Sequence, residues 1–151
     1  MLFRSGVILQ NHGDLKAAET QFRQAITLKP SDLVFRRNLA GVLQERGNKQ
    51  EAERVLKEAL EIDPRFADAH RALGTLLLER GALPEAEMEF VVLLQLVQED
   101  ADAEAKLGDV YTAQKRYAEA ADAYRQALKW AKDQQLQREI QRKLARVEKM
   151  K

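Results

Sequence analysis

Residue types recur along this chain every 34 positions. One column reads Ala18, Ala52, Ala86 and Ala120; another reads Phe22, Leu56, Phe90 and Tyr124. Gly13, Gly47 and Gly81 form a third, which breaks at Lys115. Leu39, Leu73 and Leu107 form a fourth, followed by the small residues Ala40, Gly74 and Gly108. A fixed period of this length implies a stack of one supersecondary unit, because a single unit cannot bury its apolar face alone.

Within each unit the apolar residues fall at helical spacing, and punctuation divides them into two helices. The first helix of unit one is predicted to end near Asn11, with Gly13 supplying the left-handed residue that follows a helix. Asp14 is placed to cap the second helix, which turns Leu15, Ala18, Phe22, Ala25 and Ile26 inward. Later units pair about Leu33–Arg46 with Gln50–Ile62, Ala67–Arg80 with Pro84–Val97, and Ala101–Gln114 with Tyr117–Ala131. Asn48 followed by Glu51 has the spacing of a capping box. Pro84 suits a first helical turn, where its missing N–H costs nothing. The small column permits close helix approach. Relative to the other units the first is clipped, as at a truncated boundary or the edge of a longer array.

The unit resembles the tetratricopeptide repeat, whose pattern is Trp-x-x-Leu-Gly-x-x-Tyr, then Ala-x-x-x-Phe, then Pro. The third unit reads His70-x-x-Leu73-Gly74-x-x-Leu77, then Ala86-x-x-x-Phe90. The fourth reads Glu104-x-x-Leu107-Gly108-x-x-Tyr111, then Ala120-x-x-x-Tyr124. Two columns depart from the pattern. The Trp position holds Leu2, Arg36, His70 and Glu104, and the Pro position holds Pro30 and Pro64 but then Gln98 and Lys132. The resemblance implies an all-α, right-handed α-solenoid. Four units would occupy residues 1–134 (1–32, 33–66, 67–100 and 101–134). After residue 134 the register is read as ended. Leu136, Ile140, Leu144 and Val147 form one apolar stripe, so 135–151 is predicted to be a capping helix with a polar outer face.

Composition narrows the function classes. No cysteine is present, so disulfides, thiol chemistry and Cys-ligated metal are excluded. His12 and His70 do not share a column, no His-Glu-x-x-His pair exists, and the stretch Gly41 to Lys49 fails as a phosphate loop. No catalytic residue, metal or cofactor is expected. His70 is expected to pack in the Trp column and not to bind a ligand. The longest apolar run, Phe90–Leu94, is far shorter than the ~20 residues of a membrane span. Met1 to Leu9 lacks the features of a signal peptide, and the cytoplasm is the expected compartment. Net charge is +1 overall. Residues 134–151 hold six Lys and Arg against two Asp and Glu, while the preceding 133 residues hold 19 against 22. No aromatic residues interleave the basic stretch, so the stacking surface of single-strand binders is missing and no nucleic-acid partner is expected.

Proteins resembling this one are usually scaffolds whose first helices line a concave groove for a peptide or partner helix. Here that face is expected to carry Val34, Arg37, Asn38, Gly41, Gln44 and Glu45, which share one helix face by spacing. Its register equivalents include Asp68 and Arg71 in the third unit, and Asp102, Ala105, Lys106, Asp109 and Thr112 in the fourth. Arg37, Asn38, Arg71 and Lys106 are the candidate peptide contacts: the bases would pair with acidic side chains and the amide with peptide backbone. The alternative is a self-assembly unit or a fragment of a larger repeat protein. On the second helices, four outward columns hold polar residues in three units, but Met88, Val91, Val92 and Gln95 in the third. Met88, Val91 and Val92 are therefore a candidate contact for another chain, or for a second copy in a weak homo-oligomer.

Overall fold

The computed structural model describes the backbone of residues 2–150 and the side chains of residues 4–150; Met1, Lys151 and the side chains of Leu2 and Phe3 lie outside them. Among the described residues the chain is all-helical: α1 (Leu2–Asn11), α2 (Leu15–Leu28), α3 (Leu33–Glu45), α4 (Lys49–Ile62), α5 (Ala67–Arg80), α6 (Leu83–Leu96), α7 (Ala101–Ala113), α8 (Tyr117–Trp130) and α9 (Gln134–Glu148). These limits differ from the sequence expectation by about one residue at helix ends. Two compact units divide the chain, Met1–Ala72 and Leu73–Lys151, with the division inside α5.

Helix starts and stops follow from local chemistry. Asp14, Asp32, Asn48, Asp100 and Asp133 each accept an orphan N–H at a helix start. The capping box at Asn48 is only half made. Asn48 Oδ1 accepts from the Glu51 N–H at 3.4 Å, but the Glu51 carboxylate turns away to Arg54 and Arg23. Two guanidinium groups outcompete a single backbone N–H for it. Gly13, Gly47 and Gly81 all have φ +81°, and Lys115, the residue that breaks their column, keeps the left-handed backbone at φ 61°. Where the Pro column fails at Gln98, the turn instead places Glu99 at φ 62°.

In the first unit, consecutive helices α1 to α4 pack on one another. Ala18, Phe22 and Ala25 of α2 are buried, as are Leu39, Ala40 and Val42 of α3 and Ala52, Leu56 and Ala59 of α4. A Cβ added to Gly6 would lie 2.8 Å from Phe22 Cε1 and Cζ, so the ring occupies the space that a side chain would need. One register step later the same crossing is Ala40 against the smaller Leu56. The small residue and its partner thus exchange volume, as close packing requires.

The second unit repeats the exchange. Gly74 faces Phe90, whose Cζ would be 3.0 Å from an added Cβ, and Gly108 faces Tyr124 at 2.6 Å. Ala101, Ala105, Ala120, Tyr124, Ala127, Ile140 and Val147 form one buried cluster, with Leu136 and Leu144 packed against it. The terminal stripe packs against residues of α7 and α8.

The register does not end at residue 134; it continues with one residue deleted. His70 Nε2 lies 2.8 Å from the carbonyl oxygen of Pro64, six residues earlier, and Arg36 donates to the carbonyl of Pro30 across the same interval. Gln137 Nε2 donates to the carbonyl of Ala131 at 2.6 Å, again six residues earlier. With a 33-residue step, Gln137 succeeds Glu104 in the Trp column and Ile140 succeeds Leu107. So α9 stands where the first helix of a next unit would stand. His70 is buried at 7% exposure and spends a ring nitrogen on this carbonyl contact, as a packed residue of the Trp column.

Candidate functional site

On the α3 face of the first unit, Val34, Arg37 and Glu45 are exposed, and Asn38, Gly41 and Gln44 are half-buried. The Arg37 guanidinium donates to Asn38 Oδ1 at 3.2 Å and meets no carboxylate among the described residues. Val34 beside them is 44% exposed. At Gly41 an added Cβ would touch only Gln10 Nε2, at 3.9 Å, so the backbone is open there. The far end of the face is tied down, because Gln10 Nε2 donates to Glu45 Oε1 at 2.6 Å. Arg71 belongs to this same compact unit and is half-buried.

Lys106 belongs to the second unit. It is half-buried and lies 3.9 Å from Asp102, a loose contact one turn away on its own helix. The rest of this face departs from expectation. Ala105 is buried within the α7–α8–α9 cluster. Asp109 accepts from Tyr124 Oη at 2.8 Å and from Lys143 Nζ at 2.8 Å. Both residues were expected on an open face, and both are instead consumed in seating α9. The cause is the continued register: α9 lies on α7 as a following first helix, and its Lys143 reaches back to the carboxylate.

That polar knot is the main feature that sequence reasoning missed. Burial pushes the Tyr124 hydroxyl well above its usual range, while Thr112 Oγ1 at 3.1 Å adds a second partner. Burial alone would push the Lys143 ammonium down. Hydrogen bonds to Asp109 and Glu139 outweigh it and leave Lys143 raised. A signal was available, since Lys143 stands 34 residues after Asp109. It was hidden because the apolar stripe of α9 follows a 33-residue step.

On the second helices, Met88 is 65% and Val91 37% exposed. Val92 is a correction: it is half-buried, as is Glu58 in the same column of α4. On α2, α4 and α8 the outward columns carry ion pairs instead. Arg54 joins Glu51 and Glu58, and hydrogen bonding from Arg54 is the largest influence holding the Glu51 carboxyl at about 2. Arg125 joins Asp122 and Glu148. Among the described residues, no cluster of three or more His, Asp or Glu is placed to hold a metal, and no helix is long and apolar enough to cross a membrane.

Comparisons with known proteins agree with this architecture. Residues 11–76 and 45–91 match a profile of the tetratricopeptide repeat, and residues 102–134 match a second profile of the same repeat. No curated protein matches the sequence significantly. Among solved structures, PilF of Pseudomonas aeruginosa superposes with a TM-score of 0.86 at 23% identity, over 97% of this chain and 65% of that one. MamA from Desulfovibrio magneticus RS-1, from residue 41 to its end, gives 0.81 at 15% identity over 99% and 92% of the two chains. YrrB, described as a TPR protein with an unusual peptide-binding site, gives 0.79 at 20% over 93% and 73%. At these identities the structural likenesses speak for the fold. The profile matches cover more than half of the sequence, and the chain belongs to the tetratricopeptide-repeat family.

Proposed function

We propose that this chain is a scaffold that binds a peptide or partner protein on the faces of its first helices. The family is generally one of non-catalytic scaffolds for protein–protein interaction. The observation that carries the reading is the pair Arg37 and Asn38. An exposed guanidinium without a carboxylate sits beside an amide, on a helix face whose backbone is open at Gly41. A guanidinium can take a carboxylate in two parallel hydrogen bonds, and an amide can both donate to and accept from peptide backbone. Arg71, in the same compact unit, and Lys106, in the second unit, are further candidate contacts, each on the first-helix face of its own unit. The peptide-binding site of YrrB, a protein of similar fold, is consistent with this use of the repeat. The acidic neighbours Asp68 and Asp102 favour a ligand of mixed charge over a strongly acidic one.

A peptide library displayed on phage and selected against the whole chain tests the reading. Peptides recovered should bind the wild type, and Arg37→Ala, Asn38→Ala, Arg71→Ala and Lys106→Ala combined should weaken them by about tenfold or more, with helical circular dichroism unchanged. Full affinity in the quadruple variant would place binding on another surface.

A further inference from the structure

Helix α9 stands where a further first helix would stand, so the 33-residue step that carries Leu107 to Ile140 carries the candidate binding columns onto it as well. The columns that run from Val34 to Glu45 on α3 hold Gln135, Arg138, Glu139, Arg142, Ala145 and Arg146 on α9. Arg138 thereby shares a column with Arg37 and Arg71. Arg138, Arg142 and Arg146 are all exposed and recur every four residues, which makes them one row along the helix with a step of ~6 Å. None of the three lies within ion-pair distance of a carboxylate among the described residues. The acids of this helix are already committed: Asp133 caps its start, Glu139 pairs with Lys143, and Glu148 pairs with Arg125. Arg138 and Arg142 line an open depression of about 700 Å³. The row adjoins the α7 face of the same compact unit. Hydrogen bonding from Lys143 is the main influence holding the Glu139 carboxyl below its ordinary range, and the charges of Lys106 on α7 and Arg142 on α9 both add to it.

We infer that α9 carries an acid-binding row of the first-helix face, which takes an extended peptide segment with Asp or Glu at alternate positions. A guanidinium holds a carboxylate through two parallel hydrogen bonds. Alternate side chains of an extended chain share one face and recur every ~6.6 Å, close to the ~6 Å step of the arginines. That the occupant is a peptide rests on the reading of the first-helix faces proposed above. The surface of α9 also argues against other anions. Glu139 and Glu148 flank a row only ~12 Å long, whereas a nucleic-acid backbone or an anionic bilayer presents negative charge over a wider area. The apolar stripe that could anchor an amphipathic helix in a bilayer is spent on the core, where Ile140 and Val147 are buried.

The test is fluorescence anisotropy on the whole chain with a dye-labelled peptide of alternating Glu and Ser, about nine residues long. Its Lys and Ser counterpart serves as the opposite-charge probe. The Glu peptide should bind, more weakly as salt rises from ~0.05 M to ~0.5 M, and the Lys peptide should not. Arg138→Gln, Arg142→Gln and Arg146→Gln combined should weaken the Glu peptide by about tenfold or more. Helical circular dichroism and melting should be unchanged, since all three side chains are exposed. Lys115→Gln, Lys129→Gln and Lys132→Gln combined remove as much charge elsewhere in the same unit and should leave binding unchanged. Amide shifts on peptide addition should centre on residues 134–149. Four results would overturn the inference: no binding of the Glu peptide, equal binding of the Lys peptide, equal loss in the lysine control, or shifts centred outside α7 and α9. Tighter binding of a single-stranded oligonucleotide, or of vesicles containing anionic lipid, through the same three arginines would also overturn it, by making phosphate the ligand. So would self-association of the wild type that the arginine variant abolishes, by making a second copy the occupant. Library peptides that keep full affinity in the quadruple variant contradict the first-helix reading, whereas a Glu peptide indifferent to the arginine variant contradicts only this inference.

Discussion

An added Cβ at Gly108 would stand 2.6 Å from the Tyr124 ring, whereas one at Gly41 would find nothing nearer than 3.9 Å. Both glycines are helical, so Gly→Ala at either relieves the backbone entropy that glycine costs a helix, worth ~0.5–1 kcal/mol. At Gly108 the ring must also shift, and overpacking costs ~1–3 kcal/mol. Thermal or urea unfolding should therefore show Gly41→Ala more stable than wild type and Gly108→Ala less stable. Equal shifts in one direction would remove the ring contact as the reason for glycine in that column.

The Trp column makes a second residue-scale point. Arg36, His70 and Gln137 each bring a side-chain nitrogen to a carbonyl six residues earlier, but an ionised Glu104 has no proton to give. Burial, helped by the charge of Asp100, raises the Glu104 carboxyl above its ordinary range. The folded state thus holds that proton more tightly than the unfolded state, and Glu104 costs stability increasingly as pH rises through its raised value. Glu104→Gln should stabilise by ~0.5–1.5 kcal/mol at neutral pH, the worth of one hydrogen bond. The gain should shrink as the pH falls through the raised value into the ordinary carboxylate range. A gain independent of pH would show that the charge is not its source.

Helices were the most legible elements, for local reasons. Asp14, Asp133 and the glycines at φ +81° act within a few residues of themselves, so spacing alone exposes them. The half-made box at Asn48 was not legible, because the Glu51 carboxylate is decided by Arg23, 28 residues away, as well as by Arg54. The outward face of α6 was readable from three polar counterparts, although the half-burial of Val92 depends on packing. The position of α9 was the largest miss. Its apolar stripe was plain, with Ile140 and Val147 at 0% and 1% exposure. The missing residue in the preceding turn disguised it as an unrelated helix. Once seated there, it takes Ala105 and Asp109 out of the candidate peptide face and leaves Lys106 loosely held by Asp102. Arg37 and Asn38 remain the best-supported part of that face.

At the scale of the whole molecule, the central claim is that the repeats depend on their neighbours and that α9 shields the last of them. In such arrays stability is approximately a sum of unit terms and nearest-neighbour terms. The most direct measurement is hydrogen exchange followed by mass spectrometry on Ile140→Asp. This change places a carboxylate in the centre of the cluster formed by Tyr124, Ala127 and Val147. An unpaired buried charge costs several kcal/mol, or else opens the site. The expected result is faster exchange in α8 and α9, a smaller change in α7, and unchanged protection in α2, α3 and α4. Uniform loss of protection from α2 to α9, or no change in α8, would contradict it.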